Sequence, residues 1–166
     1  MIKAVIVEDE LLVANHIKII LLKEDIEVID IVDNVKEAEN LISTNPDFFL
    51  LDIRLFENSS GIEIGEKLNK LNIPFIYITA NNEMSVIKKA VATNPQTYIS
   101  KPFNERDVLA ALELLKIKLN NKRYLQIMTT KGKINIPEQT ILYCEANGSY
   151  VDVVTENHKY TQRTTL

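Results

Sequence analysis

The chain has one cysteine, no tryptophan, two histidines and only four glycines in 166 residues. A single thiol excludes a disulfide framework and a cysteine-rich zinc site, and it fits a reducing compartment. Two histidines far apart argue against a histidine metal centre. So few glycines exclude a collagen-like repeat, and no low-complexity linker is visible. No apolar run is long enough to span a bilayer, and the N-terminus enters a strand-like pattern without the basic flank and cleavage site of a signal peptide. These absences predict a soluble, cytoplasmic protein with no membrane contact. What is present is an ordinary globular composition, with 46% hydrophobic and 25% charged residues.

The net charge of -4 is unevenly spread. Residues 1–120 carry 13 Lys and Arg against 19 Asp and Glu, whereas residues 121–166 carry 6 against 4. The sign change predicts two modules, 1–120 and 121–166. A surplus of two positive charges is by itself weak support for nucleic-acid binding, because small surpluses are usually solvated surface.

In the first module short β-branched runs alternate with longer stretches at helical spacing. This is the pattern of an α/β fold with a parallel, doubly wound sheet covered on both faces. Strands are expected at Ala4–Val7, Val28–Val32, Phe48–Leu51, Phe75–Ile78 and Thr97–Ile99. The first, third and fourth are unbroken apolar runs suited to central positions. Helices are expected at Leu11–Glu24, Lys36–Thr44, Ile62–Leu71, Glu83–Ala92 and Glu105–Leu119. Asn34 and Asn104 can cap two starts, and Asn45-Pro46 and Asn94-Pro95 stop two ends. Beyond Asn121 the period becomes two, with strands at Tyr124–Thr129, Lys133–Ile136, Ile141–Cys144, Tyr150–Val154 and Lys159–Thr161. Turns fall at Lys131-Gly132 and Asn147-Gly148. The tail reads as an all-β module.

Ligands of an open parallel sheet sit at the carboxyl ends of its strands. Glu8 and Asp9 stand at the end of the first strand, Asp52 at the third, Thr79 at the fourth and Lys101 at the fifth. Three acids that close repel one another unless a cation intervenes, and an all-oxygen site suits Mg²⁺ with retained waters. Metal, ammonium and hydroxyl together are arranged for a phosphoryl group, with Asp52 the natural nucleophile.

Val7-Glu8-Asp9-Glu10, Leu51-Asp52-Ile53-Arg54-Leu55, Ile78-Thr79-Ala80 and Tyr98-Ile99-Ser100-Lys101-Pro102-Phe103 resemble the four motifs of the receiver domain of two-component response regulators, in order and over residues 1–120. The resemblance implies a flavodoxin-like fold and phosphoryl transfer to Asp52 from a phosphohistidine on a sensor histidine kinase. It also implies Mg²⁺ held by Glu8, Asp9, Asp52 and the Arg54 backbone carbonyl, and a Lys101 that contacts the phosphoryl group. Lys101-Pro102 would be cis. Thr79 and Tyr98 would act as switch residues that alter the face formed by the fourth helix, fifth strand and fifth helix, through which a homodimer could form. Such a protein is a signalling switch that phosphorylates and dephosphorylates itself, not a turnover enzyme. The loop Ile53–Ser60 departs from the pattern, being about one residue longer and lacking a frequent proline.

The segment Ile141–Val151 resembles the beginning of a LytTR DNA-binding domain, which is paired with receivers and is roughly twice as long. The module here is then partial, with DNA binding weak or absent in this chain and present in a full-length form. The alternative is a stand-alone receiver that signals through protein contacts.

Two other chemistries fail on particular residues. A haloacid-dehalogenase-type phosphatase needs a second Asp where Arg54 stands, and a flavodoxin-like FMN binder needs a phosphate loop where Glu8-Asp9-Glu10 would repel the ligand. Taken alone, Glu8 or Asp9 reads equally well as a solvated loop charge, Thr79 reads better as an ordinary strand terminus and Lys101 as loop punctuation before Pro102, and Tyr98 reads at least as well as packed core. Cys144 is expected to be a buried small hydrophobe and His16 and His158 surface residues. Lys131, Lys133, Lys159 and Arg163 are expected to be solvated edge charges rather than phosphate contacts.

Overall fold

A computed structural model describes residues 1–56, 60–80, 83–120, 124–129 and 132–163. The chain divides into two compact units, Met1–Leu119 and Asn120–Leu166. The first contains β1 (Ile2–Val7), α1 (Leu11–Lys23), β2 (Ile26–Val32), α2 (Val35–Leu41), β3 (Phe48–Asp52), α3 (Gly61–Lys70), β4 (Phe75–Thr79), α4 (Met84–Ala92), β5 (Thr97–Ser100) and α5 (Glu105–Asn120). All strands are parallel in the order β2-β1-β3-β4-β5, which puts the three apolar runs in the centre. This is the doubly wound, flavodoxin-like arrangement.

Successive strand side chains point to opposite faces, and here both faces are buried. Ile6, Leu50 and Ile78 join Ile17 and Leu21 of α1 and Leu112 and Leu115 of α5 in one core. Val7, Leu51 and Tyr77, each one residue away, join Ala38 of α2, Ile64 and Leu68 of α3 and Ala90 of α4 in the other. Each fully buried aliphatic or aromatic contributes about 1.5–3 kcal/mol, so this two-sided burial is the main force aligning the strand ends.

Helix boundaries follow local chemistry. Asn34 Oδ1 accepts from the Glu37 N–H at 2.9 Å. Asn104 Oδ1 accepts from Arg106 N–H at 2.9 Å while Asp107 reaches back to the Asn104 N–H at 2.9 Å, a reciprocal cap. Asp25, Asn45, Asn72 and Asn94 have positive φ after the ends of α1, α2, α3 and α4, a conformation that Asn and Asp tolerate. The second helix is shorter than the periodicity predicts, because Ile42–Thr44 tightens into a 3-10 turn before Asn45. No helix among the described residues is long and apolar enough to cross a membrane.

The second unit is all-β. β6 (Tyr124–Thr129) and β7 (Gly132–Pro137) form one antiparallel pair, and β8 (Ile141–Asn147), β9 (Tyr150–Thr155) and β10 (Lys159–Arg163) form a three-stranded sheet in the order β10-β9-β8. Ile127, Ile136 and Val153 are its buried core among the described residues. Cys144 is exposed, contrary to the burial its apolar strand predicts. It lies on an edge strand with β9 on one side, and no described element covers it. His16 and His158 are exposed as expected, as are Lys133 and Arg163. Lys159 is tied to Asp152 at 2.9 Å, and the Thr161 hydroxyl and that ammonium hold the Asp152 carboxyl below its usual range. Lys131 and the middle of the loop after β3 lie outside the described residues.

One glycine is required by close approach. A Cβ at Gly61, the first residue of α3, would overlap the Asp52 carbonyl oxygen, and the Gly61 N–H donates to Ile53 O at 3.1 Å. Because the obstacle is backbone, it cannot rotate away. Gly61→Ala should lower stability by about 1–3 kcal/mol, measured by urea unfolding. An unchanged midpoint would show that α3 can slide without cost.

Candidate functional site

Parallel pairing brings the ends of β1, β3, β4 and β5 to one edge of the sheet. Glu8 and Asp52 are 3% and 6% exposed there, although both are acidic. Their compensation is Lys101, which reaches in from the end of β5. Its Nζ donates to Asp52 Oδ2 at 2.6 Å, Glu8 Oε1 at 2.9 Å and Glu10 Oε1 at 3.2 Å. The Lys101 N–H donates to the Thr79 carbonyl at 2.8 Å, so backbone pairing with β4 sets where the lysine starts. The Lys101-Pro102 peptide is cis, as the motif implies. Asp52 Oδ1 accepts from the Arg54 N–H at 3.0 Å, which fixes the carboxylate plane from its own loop. Thr79 is buried beside this edge.

The electrostatics of the cluster follow from burial. Desolvation pushes the Glu8 carboxyl up to about 7, against the hydrogen bond from Lys101, and the charge of Asp52 adds to the rise. For Lys101 burial pulls the other way, yet hydrogen bonds to Asp52 and Glu8 outweigh it and hold the ammonium above the ordinary lysine range. Glu8 Oε2 lies 2.8 Å from Lys101 Nζ without hydrogen-bond geometry, and this buried oxygen has no donor among the described residues.

Carboxylate oxygens of Glu8, Glu10 and Asp52 lie within 4.8 Å of one another and could hold a metal ion. An oxygen-only donor set with an unsatisfied buried acceptor fits a hard divalent cation. Asp9 is exposed and does not join this group. Glu8, Asp9 and Glu10 lie between the end of β1 and the start of α1, where the chain bends at Asp9 and the Glu10 N–H donates to Glu8 Oε1 at 3.2 Å. Strand alternation therefore does not apply to them, and Glu10 rather than Asp9 reaches the lysine. Tyr98, on the edge strand β5, is 55% exposed and not packed core. The Arg54 guanidinium turns away from the acids to Glu83, at 3.1 Å.

The family model for the response regulator receiver domain matches residues 4–113. The chain belongs to the response regulator receiver family. Its receiver is 35% identical to the sensory transduction protein LytR of Staphylococcus epidermidis, a match that covers 72% of this chain and 49% of that protein. Similarity to the sensory transduction protein LytT of Bacillus subtilis, at 25% identity, covers all of this chain and 74% of that protein. The LytT match therefore includes the all-β unit, and nothing in it favours a receiver that works alone. Among solved structures, the signal receiver domain of a modulated diguanylate cyclase from Desulfovibrio desulfuricans superposes with a TM-score of 0.66 at 28% identity, over 73% of this chain and 98% of that one.

Glu8 gives the receiver a testable pH response when metal is absent. Its ordinary value is 4.5 and its folded value about 7, so between these the folded chain holds a proton that the unfolded chain has released. Stability contributed at Glu8 is therefore lost as pH rises through that window. In the presence of a chelator, Glu8→Gln should gain on wild type progressively from pH 4.5 to about 7 and level off above it. Urea unfolding across the window measures this, and a pH-independent difference would rule out burial as the dominant effect.

Proposed function

We propose that the chain is the phosphoacceptor part of a LytT/LytR-type two-component regulator. A phosphohistidine on a sensor histidine kinase would be its donor and Asp52 the acceptor. The reading is carried by one observation, the Lys101 ammonium held between Asp52 and Glu8 at the carboxyl edge of a receiver sheet. In the transfer an Asp52 carboxylate oxygen forms the O–P bond as the donor's N–P bond breaks, and the imidazole leaves. Lys101 gives up part of its contact with Asp52 and neutralises the oxygens of the incoming group. The Arg54 N–H keeps the other Asp52 oxygen in place. Thr79 supplies a hydroxyl at the same edge, and its engagement by the phosphoryl group carries the change outward. Glu8, Glu10 and Asp52 would hold Mg²⁺, which when bound supplies charge neutralisation at the phosphoryl oxygens.

A groove of about 550 Å³ beside Lys101 supports access by a large donor. Leu12 and Val13 of α1, His16, and Phe103, on which His16 stacks at 5.6 Å, line it. The protein acts as a switch and not as a turnover enzyme, works in the cytoplasm, and dimerises through the α4, β5 and α5 face, where Tyr98 is exposed. Its output is DNA binding through a LytTR-type module of which residues 121–166 form part. With Lys159 paired to Asp152, Lys133 and Arg163 are the exposed basic residues left on the described strands of the second unit.

Incubation with Mg²⁺ and a small acyl phosphate, followed by intact-mass measurement, tests the reading. Wild type should gain one phosphoryl group and Asp52→Asn none; equal labelling would remove Asp52 from its role. Lys101→Ala should slow labelling by about 10- to 100-fold. Thr79→Ala should label normally but lose phosphorylation-dependent dimerisation, read by sedimentation.

DNA binding is tested separately with labelled duplexes at two salt concentrations. The 166-residue chain should bind weakly, without sequence preference and with strong salt dependence, whereas a chain extended to a full LytTR domain should bind selectively. Tight selective binding by the short chain would overturn the partial-module assignment.

A further inference from the structure

Asparagine followed by glycine occurs once in the chain, at Asn147-Gly148. Asn147 ends β8 and pairs with Tyr150 at the start of β9, so Gly148 and Ser149 form the whole connection. Gly148 has a φ of +60°, which side chains disfavour, and a Cβ placed there would meet nothing within 4 Å. The residue that lets the turn close therefore also leaves its own nitrogen unshielded. Asn147 and Gly148 are both exposed. Neither the Asn147 side-chain amide nor the Gly148 N–H has a hydrogen-bond partner among the described residues.

Other asparagines lack one of these features. Asn45 and Asn94 precede prolines, which have no N–H. After Asn72 the Ile73 N–H is held by Leu68 O at 2.9 Å, and after Asn157 the His158 N–H is held by Thr155 Oγ1 at 3.1 Å. Asn34 and Asn104 have their side-chain oxygens engaged as helix caps.

We propose that Asn147 is a site of spontaneous covalent modification. The Gly148 nitrogen bonds to the Asn147 side-chain carbonyl carbon and gives its proton to solvent, the bond from that carbon to the amide nitrogen breaks, and ammonia leaves. Water then opens the resulting succinimide at either carbonyl, giving aspartate or isoaspartate with no change of oxidation state. Each product adds one negative charge to residues 121–166, whose 6 Lys and Arg against 4 Asp and Glu become 6 against 5. The charge appears in a cleft lined by Asn147, Tyr150, Asp152, Lys159 and Thr161, where it competes with Asp152 for the Lys159 ammonium. Isoaspartate also routes the main chain through an extra methylene, which puts residue 147 out of register with Tyr150. The inference is independent of the phosphoacceptor reading and gives the second unit an irreversible ageing reaction.

Peptide mapping by mass spectrometry of the folded chain, kept in mildly alkaline buffer and sampled over weeks, tests the site. The peptide containing Asn147 should gain the mass difference between an amide and an acid and split into two chromatographic components. In water enriched in oxygen-18 that peptide should also take up one heavy oxygen, because the new oxygen comes from solvent. Asn147→Gln, whose ring closure needs six atoms, should show neither change over the same interval. A folded chain in which Asn147 is converted no faster than Asn72 or Asn157, or an Asn147→Gln peptide that gains the same mass, would overturn the site. In the isoaspartate fraction the Tyr150 amide should exchange about tenfold faster than in Asn147→Asp, which carries the same charge without the methylene. Equal exchange in the two would overturn the loss of register.

Discussion

The ammonium of Lys101 makes the acidic edge of this sheet compatible with folding. Glu8 and Asp52 are almost wholly removed from water, and an isolated buried carboxylate costs several kcal/mol. Lys101 offsets that cost by donating to Asp52, Glu8 and Glu10 at once. The compensation is incomplete, as the raised Glu8 carboxyl and its donor-less Oε2 indicate. A site in that condition accepts further positive charge readily. The surrounding architecture serves this contact. Lys101 follows β5, the Lys101 N–H pairs with Thr79 at the end of β4, and Glu8 follows β1, so the cluster exists only if all these strands run in the same direction and in register.

Two glycines show how closely the elements approach. Gly61 lets the start of α3 meet the backbone of Asp52, and Gly65, one turn later, leaves room for the Tyr77 hydroxyl. The same helix thus adjoins Asp52 at one end and the Tyr77–Thr93 contact further along. On α4, Ala90 is buried and Val86, a turn from the other end, packs against the same core.

The second unit is built on different terms. Its described core is a handful of β-branched residues, and the residues of β8 after Ile141 are exposed. Its buried charge, Asp152, is satisfied locally by Thr161 and Lys159 on the neighbouring strand, a structural pairing rather than a reactive one. Exposed Cys144 is a consequence of strand order. An apolar pattern says that a strand can be buried, whereas a place at the sheet edge decides whether it is.

Strand and helix identities in residues 1–120 were legible in the sequence because a parallel sheet buried on both faces demands continuous apolar runs, and Asn at helix ends demands little context. Asp52, Lys101, Thr79 and Glu8 could be picked out because strand termini in such a fold converge at one edge by topology alone. The outward direction of Asp9, the entry of Glu10 in its place, the turn of Arg54 toward Glu83 and the Tyr77–Thr93 contact could not be read. Each depends on which way a side chain leaves the backbone or on what stands across a gap of many residues, and sequence periodicity holds no such information. Composition and pattern determined which runs form the central strands of the parallel sheet and where they end; tertiary packing decided which of the acids share the lysine, because only packing sets the direction of each carboxylate.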